Sequence, residues 1–432
     1  MESDIRKEKI DELSNSLSYV MTQGSMELFH TNFWAGLIRK YPVFAKAFIG
    51  DDYSELKSKD NGVTREYKLS QTSKDKDDDS VDYGKGKKSI DILFELSGDR
   101  AIVLENKFKS VPTKQQLCMY YDLLPSKMKF YKGILCAPFK TDIVNEDTKL
   151  VLLPGNRKGN RENYYFLDYK TIIASFRKIA DEEKVKLESF DYELVKSYCD
   201  DTENVLWILR DMYQGDNAKD IYRLYFDPEI EKIGLNDICS KLSADRFMSY
   251  FKKRCLKEDE DLFNSLSMSM GFSNKKAVLD FRFDTRELSN DRTNDHYFSI
   301  GIQIEGEQFR RLFEMRKSIS SPEQEVNDFA IKYKWFGEKK KGGKIIWDSV
   351  HYETGMTKKY CKYSGDYDGV YSTSDVEGKE RQYMFLYQWK RLFKANDVEN
   401  NGISFEELYE QLKQNLLIAK QKYDEIYKDN KY

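Results

Sequence analysis

"SIDILFELSGDRAIVLENKFKS", residues 89–110, decides how this chain is read. Two apolar runs, 90–96 and 101–104, flank a short polar link containing Gly98, the pattern of a β-hairpin. Its open end carries Asp91 on one strand and Glu105, Asn106 and Lys107 on the other. Side chains alternate along a strand, so Glu105 and Lys107 share one side and Asn106 takes the opposite one. On the first strand Asp91, Leu93 and Glu95 share a side. A two-residue turn at Gly98-Asp99 would pair Asp91 with Asn106 and send the acid to the wrong face. A three-residue link, 97–99, with glycine available for positive φ, pairs Asp91 with Glu105, and this is the register expected.

Two carboxylates side by side repel, and holding both ionised calls for a cation between them. Hard oxygen donors select Mg²⁺, or Mn²⁺ in its place, over zinc. Asp91, Glu105 and the backbone carbonyl of Asn106 supply such donors. A divalent ion there lowers the pKa of water and neutralises charge on a phosphate under attack. Lys107, one pleat beyond Glu105, serves as base or as electrostatic stabiliser. This is phosphodiester hydrolysis without histidine, in a chain whose histidines are His30, His296 and His351.

E-x-K alone carries little weight, because 66–68, 182–184, 338–340 and 377–379 fit it too. Only the copy at Glu105 ends an apolar strand, follows an acid-bearing strand and precedes Gln116-x-x-x-Tyr120. In that combination, Asp91 followed fourteen residues on by Glu105-Asn106-Lys107 resembles the core of the PD-(D/E)XK nuclease superfamily. Gln116 and Tyr120 resemble the Q-x-x-x-Y helix motif of its RecB-like branch. Ile90 stands where the usual proline would be. The segment "HTNFWAGLI", with His30 and Asn32, is similar to the N-terminal helix pattern of that branch, and Glu66 occupies the place of an acid that precedes the aspartate there. The resemblance covers about the first 215 residues. It implies a restriction-endonuclease-like α/β core, a central mixed sheet flanked by helices, with Asp91, Glu105, Lys107, Gln116 and Tyr120 at the catalytic site. It also implies a magnesium-dependent nuclease acting on DNA more than RNA, of the kind found in bacterial restriction or anti-phage defence. The competing reading is a nucleic-acid-binding or regulatory protein whose nuclease-like domain no longer cuts.

The remaining composition is compatible with this. A length of 432 residues favours two domains. The expected division is 1–215 for the nuclease domain and 216–432 for an α+β domain serving specificity, sensing or oligomerisation, with "QGDN" (214–217) as the boundary. Charged residues make up 34% of the chain, yet the net charge is only −3, so any basic surface is local. Lys109 and Lys114, with Lys127, Lys129 and Lys132, form such an excess and are candidates for a nucleic-acid backbone. Six scattered cysteines form no C-x₂-C pair, which argues against zinc and for reduced thiols in the cytoplasm. No signal-like or membrane-spanning run is present in the sequence. A homodimer would provide two active sites for a double-strand break. His30, on a helix with Phe29, Phe33 and Trp34, reads more as a hydrogen-bonded core histidine than as a catalyst.

Overall fold

The computed structural model describes residues 2–22, 26–57, 62–69, 88–108, 114–140, 143–145, 147–151, 153, 164–213, 220–223, 228–273, 276–284, 297–317, 333, 335, 349–352, 359–362, 368–371, 382–392 and 402–430. The polar run 70–87 and Lys109 therefore lie outside the described residues. The chain forms two compact units, Met1–Asn217 with Asp227–Ile238, and Ala218–Phe226 with Cys239–Tyr432. Among the described residues, no helix is long and apolar enough to cross a membrane.

The first unit opens with helices α1 (Glu2–Asn15), α2 (Leu17–Thr22), α3 (Met26–Lys40) and α4 (Lys46–Ile49). Residues 4–22 read as one helix from their spacing, but Ser16 divides them. Its Oγ accepts the backbone N–H of Tyr19 at 3.3 Å, as an N-cap does. Six strands follow: β1 (Val63–Leu69), β2 (Lys88–Glu95), β3 (Arg100–Asn106), β4 (Lys129–Ala137), β5 (Leu150–Val151) and β6 (Tyr164–Asp168). They form one mixed sheet in the order β1-β2-β3-β4-β6-β5. Strands β1, β2 and β3 pair antiparallel, whereas β3, β4 and β6 run parallel. Parallel neighbours need a crossover, and α5 (Lys114–Leu123) provides the one from β3 to β4. Helices α6 (Tyr169–Glu182), α7 (Ser189–Tyr213) and α8 (Pro228–Lys232) complete the unit.

The β2–β3 register is the one a three-residue link dictates. Ile92 pairs with Leu104 and Glu95 with Ala101, which sets Asp91 opposite Glu105. Gly98 adopts φ +68° in the link 97–99, and Leu96 N–H closes the hairpin on Arg100 O at 2.8 Å. The sheet is covered on both faces. Leu93, Ala101, Val103 and Leu135 pack with Leu117 and Tyr120 of α5. On the other side Phe94 meets Phe48, which in turn meets Trp34 and Phe176. Burying each such aromatic contributes about 1.5–3 kcal/mol, so the hairpin is anchored from both sides.

The second unit holds an antiparallel sheet built from β8 (Ser267–Ser273), β9 (Lys276–Asp284), β10 (Tyr297–Glu305), β11 (Gln308–Lys317), β12 (Ser349–Tyr352) and β15 (Gln382–Arg391), in the order β12-β15-β11-β10-β9-β8. Smaller pairs join β7 (Ile221–Arg223) to β16 (Gly402–Ser404), and β13 (Lys359–Lys362) to β14 (Asp368–Tyr371). The stretch 218–271 reads as helical in sequence, and α9 (Asn236–Glu258) and α10 (Glu260–Ser265) agree. Residues 221–223 and 267–273 are strands instead. A three-residue strand has no periodicity of its own, and here its partner lies far along the chain. The terminal helix Phe405–Asn430 lays Leu408, Leu412, Leu416 and Ala419 into the core, and Ser404 Oγ caps it by accepting Glu407 N–H at 3.1 Å.

Candidate active site

The pleat of β3 distributes its last residues to different partners. Glu105 faces α5, where Gln116 Nε2 donates to its Oε1 at 2.8 Å and to Tyr120 Oη at 2.8 Å. Gln116 and Tyr120 lie one helical turn apart, so a single amide bridges both. Lys107, on the same side as Glu105, places Nζ 2.6 Å from Glu105 Oε1. Asn106 points the other way. Its Oδ1 accepts from Tyr169 Oη at 2.6 Å and its Nδ2 donates to the Glu27 carbonyl at 3.2 Å. Its backbone N–H donates to Asp91 Oδ2 at 2.7 Å, which ties the first acid to the corner. Lys107 N–H donates to Cys136 O of β4 at 2.8 Å. Asp91, Glu105, Asn106, Lys107, Gln116 and Tyr120 thus meet at the C-terminal end of β3.

The electrostatics are those of a buried acidic corner. Burial pushes Glu105 up to about 8; Lys107 opposes the shift and the Asp91 charge adds to it. Burial also raises Asp91, against the pull of the Asn106 N–H and Lys107. At neutral pH the corner therefore retains a proton when no cation is present. Burial works against the Lys107 charge, but Glu105, Glu27 and Asp91 outweigh it and hold its pKa above the ordinary value. Burial and the Glu105 charge keep Tyr120 a neutral phenol.

Glu105 Oε2 is buried and makes no hydrogen bond among the described residues. Leaving a buried carboxylate oxygen unmatched is costly, by about 1–3 kcal/mol, and a hard cation is the partner that fits it. Among the described residues no three His, Cys, Asp or Glu side chains converge as a metal cluster. The oxygen donors that the corner could offer a cation are the carboxylates of Asp91 and Glu105, with the Asn106 backbone carbonyl next in the chain. Those donors suit Mg²⁺ or Mn²⁺.

Other residues singled out in the sequence stand elsewhere. Glu66 is opposite Asp91 by count, but its φ is +48° and the strand alternation breaks there. Its carboxylate pairs with Arg65 Nη2 at 3.0 Å and is 48% exposed, outside the buried corner. Lys114 is exposed in the first turn of α5. Lys129 pairs with Arg100 at the start of β3, five residues from Glu105, or about 17 Å along the strand. The basic run at 127–132 therefore lies at the opposite end of the strand from the acids.

His30 is a core residue. Trp34 Nε1 donates to the Tyr198 hydroxyl at 2.8 Å, and His30 Nδ1 is 2.8 Å from the same hydroxyl. Indole only donates, so the Tyr198 oxygen accepts from Trp34. Burial lowers its pKa to about 3, and it stays neutral. The bond joins α3 to α7, as a packed histidine does.

Two residues of the corner escape a reading of the sequence. Glu27, in the first turn of α3, contributes negative charge to both Asp91 and Lys107. Tyr169 opens α6 behind the Asp168 N-cap and holds Asn106. An acid in a helical first turn is ordinary dipole chemistry, and nothing local marks Glu27 as different.

A family model described as the PD-(D/E)XK nuclease superfamily matches residues 15–204. The chain therefore carries a nuclease-superfamily domain in its N-terminal half. That span contains every residue of the corner and the whole six-stranded sheet. No curated protein and no solved structure matches the chain.

Proposed function

We propose that the PD-(D/E)XK nuclease-superfamily domain hydrolyses phosphodiester bonds with a divalent cation, Mg²⁺ or Mn²⁺ in its place, on DNA in preference to RNA. The observation that carries this reading is the buried, unmatched Oε2 of Glu105 beside Asp91. Asp91, Glu105 and the Asn106 carbonyl would hold the ion, which supplies charge neutralisation at phosphorus and a more acidic water. Gln116 fixes the Glu105 carboxylate, and Tyr120 anchors Gln116. Lys107 stays protonated and acts as a stabiliser of phosphate charge rather than as a base. Lys114 and Lys109 contact the backbone of the substrate. The Gln116–Tyr120 pair is what favours the RecB-like branch for this domain.

The second unit serves as a specificity, sensing or oligomerisation module, and a homodimer would bring two sites to one duplex. The setting is restriction or anti-phage defence in a bacterial cytoplasm. The test uses the full chain with supercoiled plasmid, linear duplex, single-stranded DNA and RNA, each with Mg²⁺, Mn²⁺ or EDTA. Metal-dependent cleavage of DNA, abolished by EDTA, is expected. Tight DNA binding without cleavage under either ion overturns this reading in favour of a non-cutting regulator.

A further inference from the structure

We propose that Asn106 is a positioning residue: its side chain fixes the first turn of α3 and so brings the Glu27 charge to the corner of Asp91, Glu105 and Lys107. This inference rests on the metal-dependent reading above. Asn106 is 1% exposed and stands on a sheet face otherwise made of Ile102 and Leu104, both fully buried. A leucine would match its neighbours on that face, whereas a buried amide is tolerable only when it is hydrogen-bonded. Both ends of this amide are used, and by different helices. Nδ2 donates to the backbone carbonyl of Glu27 in α3, and Oδ1 accepts the Tyr169 hydroxyl of α6. The donor and acceptor ends cannot exchange, because a phenol proton and a carbonyl oxygen demand opposite partners.

The residue held is the one whose carboxylate acts on the site. Negative charge on Glu27 reaches Asp91, Lys107 and Tyr169. Thr31 Oγ1 donates to the same Glu27 carbonyl at 3.1 Å, so this turn is fixed from within the helix and from the strand. Coulomb attraction for an entering divalent cation varies inversely with distance and is weakly screened in a buried site. A small slip of α3 along the sheet would dilute it. The residue between Glu105 and Lys107 thus sets the field that these two work in.

The test is a double-mutant cycle on the full chain, with Mn²⁺ affinity read by electron paramagnetic resonance and melting measured without metal. Glu27→Gln and Asn106→Leu are each expected to weaken Mn²⁺ binding about tenfold. Because Asn106 acts through Glu27, the double variant should fall within about threefold of either single one, not at their product. Tyr169→Phe, which removes one hydroxyl and keeps the packing, should weaken binding in the same direction and secures the test if Asn106→Leu does not fold. Full additivity, or unchanged affinity in a folded Asn106→Leu or Tyr169→Phe chain, overturns the proposal and leaves the metal reading standing. A wild-type chain that binds no Mn²⁺ overturns both.

Discussion

Glu105→Gln is expected to slow phosphodiester hydrolysis about 10³-fold or more while leaving the metal-free fold intact. The substitution is isosteric, and its amide oxygen can still accept from Lys107 and Gln116 as Oε1 does now. Burial has already pushed the carboxyl up to about 8, which favours its neutral form while no cation is bound. A neutral amide imitates that state and should cost little stability. The ionised form, which a divalent cation requires, is the one it can never supply. Rates and thermal melting of the two proteins, compared side by side, check this. Activity within tenfold of wild type would mean that Glu105 is not a ligand.

Lys107→Met separates binding from chemistry. Its Nζ now sits 2.6 Å from Glu105 Oε1 and competes with any other cation for that charge. Methionine fills the volume of the aliphatic stem and removes the competitor. Turnover is expected to fall about 10²–10³-fold, because the charge that stabilises the phosphate is gone. Mn²⁺ affinity is expected to rise over the same substitution. Lys107 also lowers the Glu105 pKa, so its loss raises that pKa beyond about 8. The comparison therefore belongs on the alkaline side of that value, where proton competition is weaker. Loss of Mn²⁺ binding together with activity would instead make Lys107 a structural partner of the acids.

Much of the corner was legible because it is local. Gly98 sits where a three-residue link needs positive φ, and that fixed the register bringing Asp91 beside Glu105. Glu105, Gln116 and Tyr120 are linked by one strand end and one helical turn, so spacing sufficed. The contribution of Glu27 was not legible. It depends on a side-chain bond from Asn106 across the sheet, and no spacing rule connects residues 27 and 106. Glu66 shows the converse failure. Its count along β1 is right, but a left-handed backbone turns the carboxylate out to Arg65. The lysines at 127–132 follow the motif in sequence, yet α5 returns the chain to the far end of the strand before they occur. Proximity in sequence was misleading there for a topological reason.

The proposed function requires one divalent cation held between Asp91 and Glu105. Anomalous diffraction from crystals of the full chain soaked in Mn²⁺ tests it most directly. A single peak is expected, coordinated by Asp91, Glu105 Oε2 and the Asn106 carbonyl, with Lys107 drawn away from Glu105. An empty corner in saturating Mn²⁺, with Lys107 still bonded to Glu105, would contradict it.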